Sequence, residues 1–399
     1  MVSIASTDGP LVSDREHYLA KVAAVGPLIT QSLDAIERDR RLPAALLDAM
    51  HNAGLFRMLL PKEFGGGQLK PSDFSRVIEE VAKYDASVAW VTCQGNGCSQ
   101  VAAFMNPDDA KRMWNDDKRA VLAWGPGKST AQKVDGGYIV NTHTRFASGC
   151  RHATWLGTHA TLVNGNGEPL PDADGNKQVR TMLMPKDDVE MEDIWNVMGL
   201  RGTASDGYIA KDLFVPEGNT LKRDYAPNRW HDGTMYKFRQ TNMYASGFSG
   251  LAMGVATQML DEFHKLALKK TPERQQSTLS QNPVVQYEYA QSKIRLDAAR
   301  CFQRSELDDM FAEAEATGNV TVEHRMRLRI ATTHAIHEAK AAADVAYEAS
   351  GATVIFNSAP FERRFRDLHT VTQQTQGRKA HYQTVGSYWF GNEPDLSSM

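Results

Sequence analysis

The sequence predicts an α+β protein with a helical N-terminal part, a β-rich middle and a helical C-terminal part. In the first third, apolar residues recur at every third or fourth position, which is the period of a helix. From about Lys118, short apolar or alternating runs separated by turn residues replace this pattern, and beyond Tyr236 long stretches rich in Ala, Leu, Met, Glu and Arg return. Because 399 residues exceed what one hydrophobic core usually serves, we expect three domains, at 1–117, 118–233 and 234–399.

Helical periodicity and matching punctuation define the N-terminal domain. Pro43 suits the first turn of a helix, Gly54 suits a helix end, and Ser72 offers an N-cap after the glycine run at 65–67. The apolar positions with helical spacing are Leu42, Leu46, Leu47 and Met50, and then Phe74, Val77, Ile78 and Val81.

The middle domain is predicted to be β because its apolar runs are short and lie between turn signals. The runs cover 121–124, 138–140, 153–163 and 180–184. Glycine-rich turns at 135–137 and 164–167 are typical of hairpin connections, and the polar stretch 171–177 is predicted to be an exposed loop.

The C-terminal domain is predicted to be a bundle of four long antiparallel helices. Their expected ranges are 243–269, 284–315, 321–350 and 362–388. Apolar and small residues on these helices are numerous enough for some faces to pack against another subunit, although a bundle core gives the same pattern.

Composition favours a small-molecule ligand and a cytoplasmic protein. The formal net charge is −3 and basic residues are interspersed with acidic ones, so no basic surface for nucleic acid or anionic lipid is predicted. The four cysteines form no CxxC pair, which fits a reducing compartment. Residues 1–10 lack the features of a secretory leader, and no run of eighteen apolar residues occurs, so we expect neither secretion nor a membrane span.

Several motifs are incomplete, and each failure excludes a class of chemistry. Residues 125–129 resemble the end of a phosphate loop but lack its first glycine, and no GxGxxG opens a helix, so the chain has no predicted nucleotide-hydrolysis or NAD(P)H site. His334 and His337 have no evident third partner, so no metal is expected. Ser148 does not lie in a GxSxG sequence, which disfavours a hydrolase.

Three segments in chain order resemble the acyl-CoA dehydrogenase superfamily. They are RLPAALLDAMHNAGLFRMLLPKEFGGG at 41–67, VDGGYIVNTHTRFASGCRHATW at 134–155 and GLRGTASDGYIAKDLFVPE at 199–217. The resemblance spans nearly the whole chain. It implies an N-terminal helical domain, a middle β-barrel or sandwich domain, a C-terminal four-helix bundle, a flavin cofactor and a homotetramer.

The resemblance also assigns candidate binding residues. A flavin ring needs an apolar slot, backbone amides and a hydroxyl, and these types are offered by Trp124, Phe146, Ser148 and Gly149. From the residues alone, Trp124 and Phe146 are better explained as β-domain core, and it is the resemblance that favours the flavin site. The segment 199–205 implies that Arg201, Thr203 and Ser205 line the substrate site, although Arg201 is equally suited to a structural ion pair.

The C-terminal domain is expected to complete the cofactor site. The stretch 273–300 resembles a helix that reaches across a subunit interface to the flavin phosphates, and Arg274 is the predicted phosphate ligand because a guanidinium binds phosphate bidentately. Gln376 is assigned to the same cofactor site.

The residue at position 376 separates two types of flavin chemistry. In many acyl-CoA dehydrogenases a glutamate in a Glu-Gly-Thr turn removes the substrate proton, whereas Gln376-Gly377 stands there in this chain, and an amide cannot act as that base. This difference, with FASGC at 146–150 and FERRFRD at 361–367, resembles the two-component monooxygenases. These take reduced flavin (FADH2 or FMNH2) from a separate NAD(P)H-dependent reductase and form a C4a-hydroperoxide with O2. An acyl-CoA dehydrogenase and a non-catalytic flavin-binding protein remain the alternatives.

Three residues are predicted to take part in the chemistry. Ser148 is the candidate for stabilising the oxygenated flavin, and His369 is the candidate acid or base, with a structural role beside Asp367 as its alternative. Many phenol hydroxylases of this branch carry a histidine where Gln373 and Gln374 stand, which argues against a phenol. An indole-type or related aromatic substrate needs no deprotonation, so an amide such as that of Gln374 would suffice to orient it.

Overall fold

Six α-helices form the N-terminal part of the structure, a computed structural model that describes residues 14–396. Residues 1–10, on which the expectation of no leader rests, lie outside this range. Helix α5 is buried along its whole length, so its polar side chains must find partners inside the protein. The helices are α1 (Asp14–Gln31), α2 (Leu33–Asp39), α3 (Ala44–Asn52), α4 (Pro71–Tyr84), α5 (Ala86–Ser99) and α6 (Pro107–Trp114).

A single curled sheet of eight strands forms the middle of the chain. The strands are β1 (Leu122–Trp124), β2 (Gly127–Val134), β3 (Gly137–Thr144), β4 (Trp155–Val163), β5 (Val179–Pro185), β6 (Glu190–Glu192), β7 (Gly207–Pro216) and β8 (Thr220–Leu221). Their order is β6-β7-β3-β2-β4-β5-β8, and β1 also pairs with β4. Strands β1 and β2 run parallel to β4, and the other pairs are antiparallel. Each of the four predicted apolar runs overlaps a strand, which confirms those assignments.

Five α-helices form the C-terminal part of the described chain. They are α7 (Gln240–Ala267), α8 (Pro283–Thr317), α9 (Val322–Ser350), α10 (Glu362–Val371) and α11 (Ala380–Trp389). The first three match the predicted ranges, but the fourth predicted helix, at 362–388, is wrong as a continuous helix. It breaks after Val371 because the Gln374 side chain accepts a hydrogen bond from the backbone N–H of Gln376, which starts a separate 3₁₀ turn at Thr375–Gly377.

The N-terminal and C-terminal helices share one hydrophobic core, whereas the sheet encloses a second core of its own. Helix α7 links the two helical parts because it packs against α4 on one side and α9 on the other. The contact between α4 and α7 requires a glycine: a Cβ atom on Gly254 would lie 2.2 Å from the carbonyl oxygen of Glu79. The cavity described below opens between the two cores.

The connecting segments lie near the predicted domain boundaries. Helix α6 ends at Trp114 and β1 begins at Leu122, while β8 ends at Leu221 and α7 begins at Gln240. The boundaries at 117/118 and 233/234 stay predictions. Within residues 14–396, no single helix is both long and apolar enough to cross a bilayer, although the bent pair α1 and α2 reaches that length and composition together.

We predict that Gly254→Ala destabilises the protein by about 1–3 kcal/mol, because the added methyl group must push α7 away from the backbone of α4. The matched control is Gly386→Ala in α11, where no atom lies within 4 Å of the added Cβ. The control should gain about 0.5–1 kcal/mol from better helix propensity. Chemical denaturation measures both changes. Equal effects of the two substitutions would contradict the close contact between α4 and α7.

Candidate active site

A cavity of about 680 Å³ lies between the sheet, the helices α5 and α7, and the segment that follows α10. Its walls are largely aromatic and come from all three parts of the chain. The rings belong to Trp90, Trp124, Phe146, Trp195, Tyr244 and Phe248. Such an apolar, ring-lined cleft with a few polar groups is typical of a site for a flat organic ligand.

A directional chain of hydrogen bonds runs along one wall. Trp90 Nε1 donates to Ser148 Oγ (2.9 Å), Ser148 and Ser205 are joined at 2.7 Å, Ser205 and Thr203 at 2.7 Å, and Thr203 Oγ1 donates to the Leu200 carbonyl (2.8 Å). An indole N–H only donates and a carbonyl only accepts, so both ends are fixed. Ser205 must therefore donate to Thr203, and Ser148 must donate to Ser205. The Ser148 hydroxyl has no proton left and presents a lone pair to the cavity.

The backbone of Leu200 anchors this hydrogen-bond chain to the C-terminal helices. Its N–H donates to Asp367 Oδ1 on α10 (2.5 Å), and its carbonyl accepts a second hydrogen bond from Trp195 Nε1 (3.0 Å). The approach is close enough that a Cβ on Gly199 would lie 2.4 Å from the carbonyl oxygen of Arg366. Burial, and secondarily the charge of nearby Asp85, raises the pKa of Asp367.

A tight turn after β3 places two predicted cofactor residues. Phe146 has a positive φ of 54°, and its ring is 61% exposed and edge-on to Trp195, with the ring centres 6.1 Å apart. Gly149 does not line the cavity. Its backbone, at a φ of 83°, donates from N–H to the carbonyl oxygen of Thr203 (2.8 Å) and so holds Ser148 in place.

The segment after α10 closes the cavity on the helical side. Gln374 lines the cavity, and its Nε2 is buried with no hydrogen-bond partner among residues 14–396. Gln376 also lines it, but its side-chain oxygen accepts a hydrogen bond from the buried Arg329. Of the described residues that line this cavity, none is Asp or Glu. The walls therefore offer donors and lone pairs but no carboxylate base.

Besides Gly149, three predicted site residues do not line the cavity. His369 Nε2 is bonded to Asp344 (2.8 Å) and its ring packs on Phe365, so it does not line the cavity. Arg201 lies in a separate charged cleft and faces Glu37 at 3.6 Å, which corrects the expectation that it lines the same site as Thr203 and Ser205. Arg274 is exposed in the loop between α7 and α8.

Other lining residues were missed from the sequence. Trp90, Gln94 and Tyr244 are contributed by α5 and α7, and a polar glutamine on a wholly buried helix was the available signal for Gln94. Arg223 and His159 face each other at the sheet end of the cavity, where Arg223 Nη1 lies 3.0 Å from His159 Nε2. No sequence pattern distinguishes Arg223 from an ordinary loop arginine.

Comparison with known proteins shows the family to which the chain belongs. Residues 26–115 match the N-terminal domain of acyl-CoA dehydrogenase and residues 246–377 match its C-terminal domain, together more than half of the chain. The chain belongs to the acyl-CoA dehydrogenase family. The predicted superfamily and fold class are confirmed.

Several relatives that resemble this acyl-CoA dehydrogenase family member along nearly its whole length are named as oxygenases. It is 28% identical to the indole-3-acetate monooxygenase of Pseudomonas putida, over 94% of this chain and 96% of the relative. It is 27% identical to the flavin-dependent monooxygenase oxygenase subunit HsaA of Mycobacterium tuberculosis, over 96% and 97%. The crystal structure of 3-HSA hydroxylase from Rhodococcus sp. RHA1 superimposes with a TM-score of 0.87 at 25% identity and covers 97% and 100%. The prediction of a flavin-dependent monooxygenase is confirmed at the level of this branch.

The residues of the cavity fit a flavin. Phe146 exposes a ring face, Ser148 offers a lone pair and Gln374 an unused amide donor, which are complementary to an aromatic ring with polar edges. Arg378 lines both this cavity and an adjoining groove of about 860 Å³ that also contains Lys340 and Lys379. Asp344 also lines the groove and pairs with Lys340 (2.5 Å), so Arg378 and Lys379 are the cations that suit the phosphate of FMN or the pyrophosphate of FAD.

We predict that two substitutions of Asp367 remove the same pH dependence of stability but differ in stability from each other. The raised pKa means that the wild-type protein loses stability as the pH rises from the unfolded-state value near 4 through the raised folded value, because the buried carboxyl must ionise. Asp367→Asn keeps an oxygen for the Leu200 N–H and should lose this dependence, so it gains stability relative to the wild type as the pH rises from about 4 to about 8. Asp367→Ala also lacks the titrating carboxyl, but it leaves the buried Leu200 N–H without an acceptor, so it should be about 1–3 kcal/mol less stable than Asp367→Asn at every pH.

Denaturant titrations over this pH range measure these free energies. Asp174→Asn, in an exposed loop, is the control and should follow the wild type. A constant difference between the wild type and Asp367→Asn over the whole range would show that Asp367 is ionised in the folded protein.

Proposed function

We propose that this chain is the oxygenase component of a two-component system that uses reduced flavin and O2 to oxygenate an aromatic or heteroaromatic substrate. The reduced flavin comes from a separate NAD(P)H-dependent reductase. When bound, the reduced flavin activates O2 and delivers one oxygen atom to the substrate ring. The observation that carries the proposal is the oriented hydrogen-bond chain ending at Ser148 in a cavity whose described lining has no carboxylate.

The direction of the hydrogen-bond chain that ends at Ser148 favours the reduced form of the cofactor. Reduced flavin carries an N–H on its central ring that oxidised flavin lacks. Because Ser148 donates its proton to Ser205, its oxygen accepts a hydrogen bond from such an N–H but has no proton for an unprotonated ring nitrogen. In this proposal Ser148 therefore acts as an acceptor, with Thr203 and Ser205 setting its orientation instead of touching the substrate.

The alternative of acyl-CoA dehydrogenation lacks its base in the described lining. Removal of an α-proton needs a carboxylate close to the substrate, whereas position 376 holds an amide whose oxygen is bonded to Arg329. Aromatic rings instead line the cavity, among them Trp90 and Phe248, whose centres lie 4.2 Å apart, and such walls offer water few hydrogen bonds. A dry site protects reduced flavin and its oxygen chemistry from side reactions.

An indole-type ring is the substrate that these polar groups suit. Gln373 lines the cavity and uses its Nε2 on Thr372 (3.1 Å), while its Oε1 has no hydrogen bond within residues 14–396. That oxygen is an acceptor for a ring N–H, and Gln374 Nε2 is a donor for a ring substituent. The relative from Pseudomonas putida that is named for indole-3-acetate supports the same class. No role falls to His369 in this proposal, since Asp344 holds it outside the cavity.

We further propose that the chain assembles as a homotetramer in the cytoplasm. Helix α8 exposes apolar side chains along one side, including Tyr287 (63%) and Ile294 (69%), and a second copy would cover them. Arg274 lies in the loop before this helix, where it would contact the flavin phosphate of a neighbouring subunit. Cys93, Cys98 and Cys150 are buried free thiols, which fits a reducing compartment.

The function is tested by mixing the anaerobic complex of protein and reduced flavin with O2 in a rapid-mixing spectrometer. We expect a transient absorbing species that differs from both reduced and oxidised flavin, and an aromatic product that carries one atom of isotopically labelled O2. Bleaching of bound oxidised flavin by an acyl-CoA, without the transient species, would support a dehydrogenase. A protein that binds flavin but does neither would be a non-catalytic flavin carrier.

The hydrogen-bond chain predicts a preference that one substitution should weaken. In Ser205→Ala the Ser148 proton is released and becomes available to the unprotonated nitrogen of oxidised flavin. The ratio of the dissociation constants for oxidised and reduced flavin should therefore fall by about 5-fold, the value of one hydrogen bond. Anaerobic titration followed by fluorescence measures this ratio.

The control for this experiment is Ser129→Ala. Ser129 belongs to a similar hydroxyl cluster with Thr142 and Thr158 inside the sheet, and it does not line the cavity. It should leave the ratio unchanged. If Ser205→Ala and Ser129→Ala give the same ratio of dissociation constants, the direction of the hydrogen-bond chain has no influence on which form of the flavin binds.

A further inference from the structure

The sheet end of the cavity contains a guanidinium group that the oxygenation described above does not use. Arg223 follows the last strand, lines the cavity and keeps 30% of its side chain exposed. The surrounding wall is formed by Trp124, whose ring centre lies 6.0 Å from the guanidinium carbon. A charged group in an apolar wall is energetically unfavourable unless a group of opposite charge pairs with it.

The guanidinium is held firmly through one nitrogen. Its Nη1 donates both to His159 Nε2 (3.0 Å) and to Gln240 Oε1 (2.5 Å). Because His159 accepts at Nε2, its Nδ1–H donates to Thr181 Oγ1 (2.9 Å). Burial, together with the charge of Arg223, lowers the pKa of His159 far below its usual value, so the ring is neutral and remains an acceptor. This support orients the guanidinium before any ligand binds.

The other terminal nitrogen is left unused. Arg223 Nη2 makes no hydrogen bond to any of residues 14–396, and it is not enclosed by the protein. The nearest carboxylate is that of Asp224, which lies 3.6 Å from Nε and does not line the cavity. That distance is too long for a hydrogen bond. The cavity therefore meets the Nη2 edge of a fixed guanidinium.

The charge around this edge is positive. The Asp224 carboxylate also attracts Arg239 and Arg325, so one negative charge lies among three guanidinium groups. Within the described lining of the cavity, Arg223 and Arg378 are the cations and no carboxylate opposes them. A negatively charged ligand group would be attracted to this end of the cavity.

We infer that Arg223 binds a carboxylate group of the substrate, and hence that the substrates of this enzyme are aromatic acids. This inference rests on the proposed function, because it assigns the aromatic ring to the cavity beside the flavin. The ring would pack among Trp90, Trp124 and Phe248, and the acid would reach Arg223 at the sheet end. A planar guanidinium recognises a carboxylate with directional hydrogen bonds, which is why a neutral analogue should be discriminated against.

Binding measurements test this inference without relying on turnover. Indole-3-acetate is compared with its neutral amide, indole-3-acetamide, and phenylacetate with phenylacetamide, by calorimetric titration of the protein with and without bound oxidised flavin. The wild type should bind each acid more tightly than its amide. In Arg223→Met the acid should lose affinity by about 30-fold or more, and the amide should change little. Arg223→Lys keeps the charge but not the planar fork, so its affinity for the acid should lie between those of the wild type and Arg223→Met.

The matched control is Arg378→Met, which removes the other cation that lines the cavity. It should weaken FMN and FAD but leave the acid-to-amide ratio unchanged. If Arg223→Met instead weakens FMN relative to riboflavin while the acid-to-amide ratio is preserved, Arg223 serves the flavin phosphate and the inference is wrong.

Two further results would also overturn the inference. One is equal affinity of the wild type for acid and amide, and the other is failure of both acids to bind at millimolar concentration. Neither depends on whether a variant folds. Absence of flavin binding would contradict the proposed function alone, because the acid-to-amide ratio is still measured on the protein without flavin.

Discussion

The buried hydrogen bond between the Leu200 N–H and Asp367 is the contact on which the site depends. It joins the loop before β7 to helix α10, two segments that are far apart in the chain. The carbonyl of Leu200, in the next peptide group, accepts hydrogen bonds from Trp195 and Thr203, so the backbone of this one residue fixes a wall ring and the end of the hydroxyl chain. Movement of this loop would change the cavity shape and the orientation of Ser148 together.

The location of the cavity follows from the two hydrophobic cores. The helical core and the sheet core are separate clusters of buried side chains, and the cavity lies between them. Aromatic side chains from both sides cover this boundary, and polar groups enter it only where a backbone or side-chain partner supports them. Ser148 and Gln376 are examples, because each is held by a hydrogen bond from Trp90 or Arg329. The result is a preorganised site with few mobile polar groups.

The break between α10 and α11 shows how a local irregularity serves the site. A continuous helix would have carried the side chains at 373–376 around its axis. Instead, the 3₁₀ turn directs Gln373, Gln374 and Gln376 toward one cavity. The amide at position 376 closes the route to acyl-CoA dehydrogenation, while the free oxygen of Gln373 and the free amide of Gln374 provide hydrogen bonds to a ring. The amide at position 376 and the 3₁₀ turn thus both favour a site that orients a ring over one that removes a proton.

The sequence by itself determined the order of helical and β parts, the family and the class of flavin chemistry. Hydrophobic period is a local property, and the motifs at 41–67, 134–155 and 199–217 are contiguous in the chain. The same patterns could not show that the 362–388 segment is broken, since the break depends on a side chain that bonds its own backbone. Nor could they separate Arg201, which pairs with Glu37, from Arg223, which lines the cavity. Only the tertiary structure decided these points, because the surroundings of a side chain are set by residues that are distant in sequence.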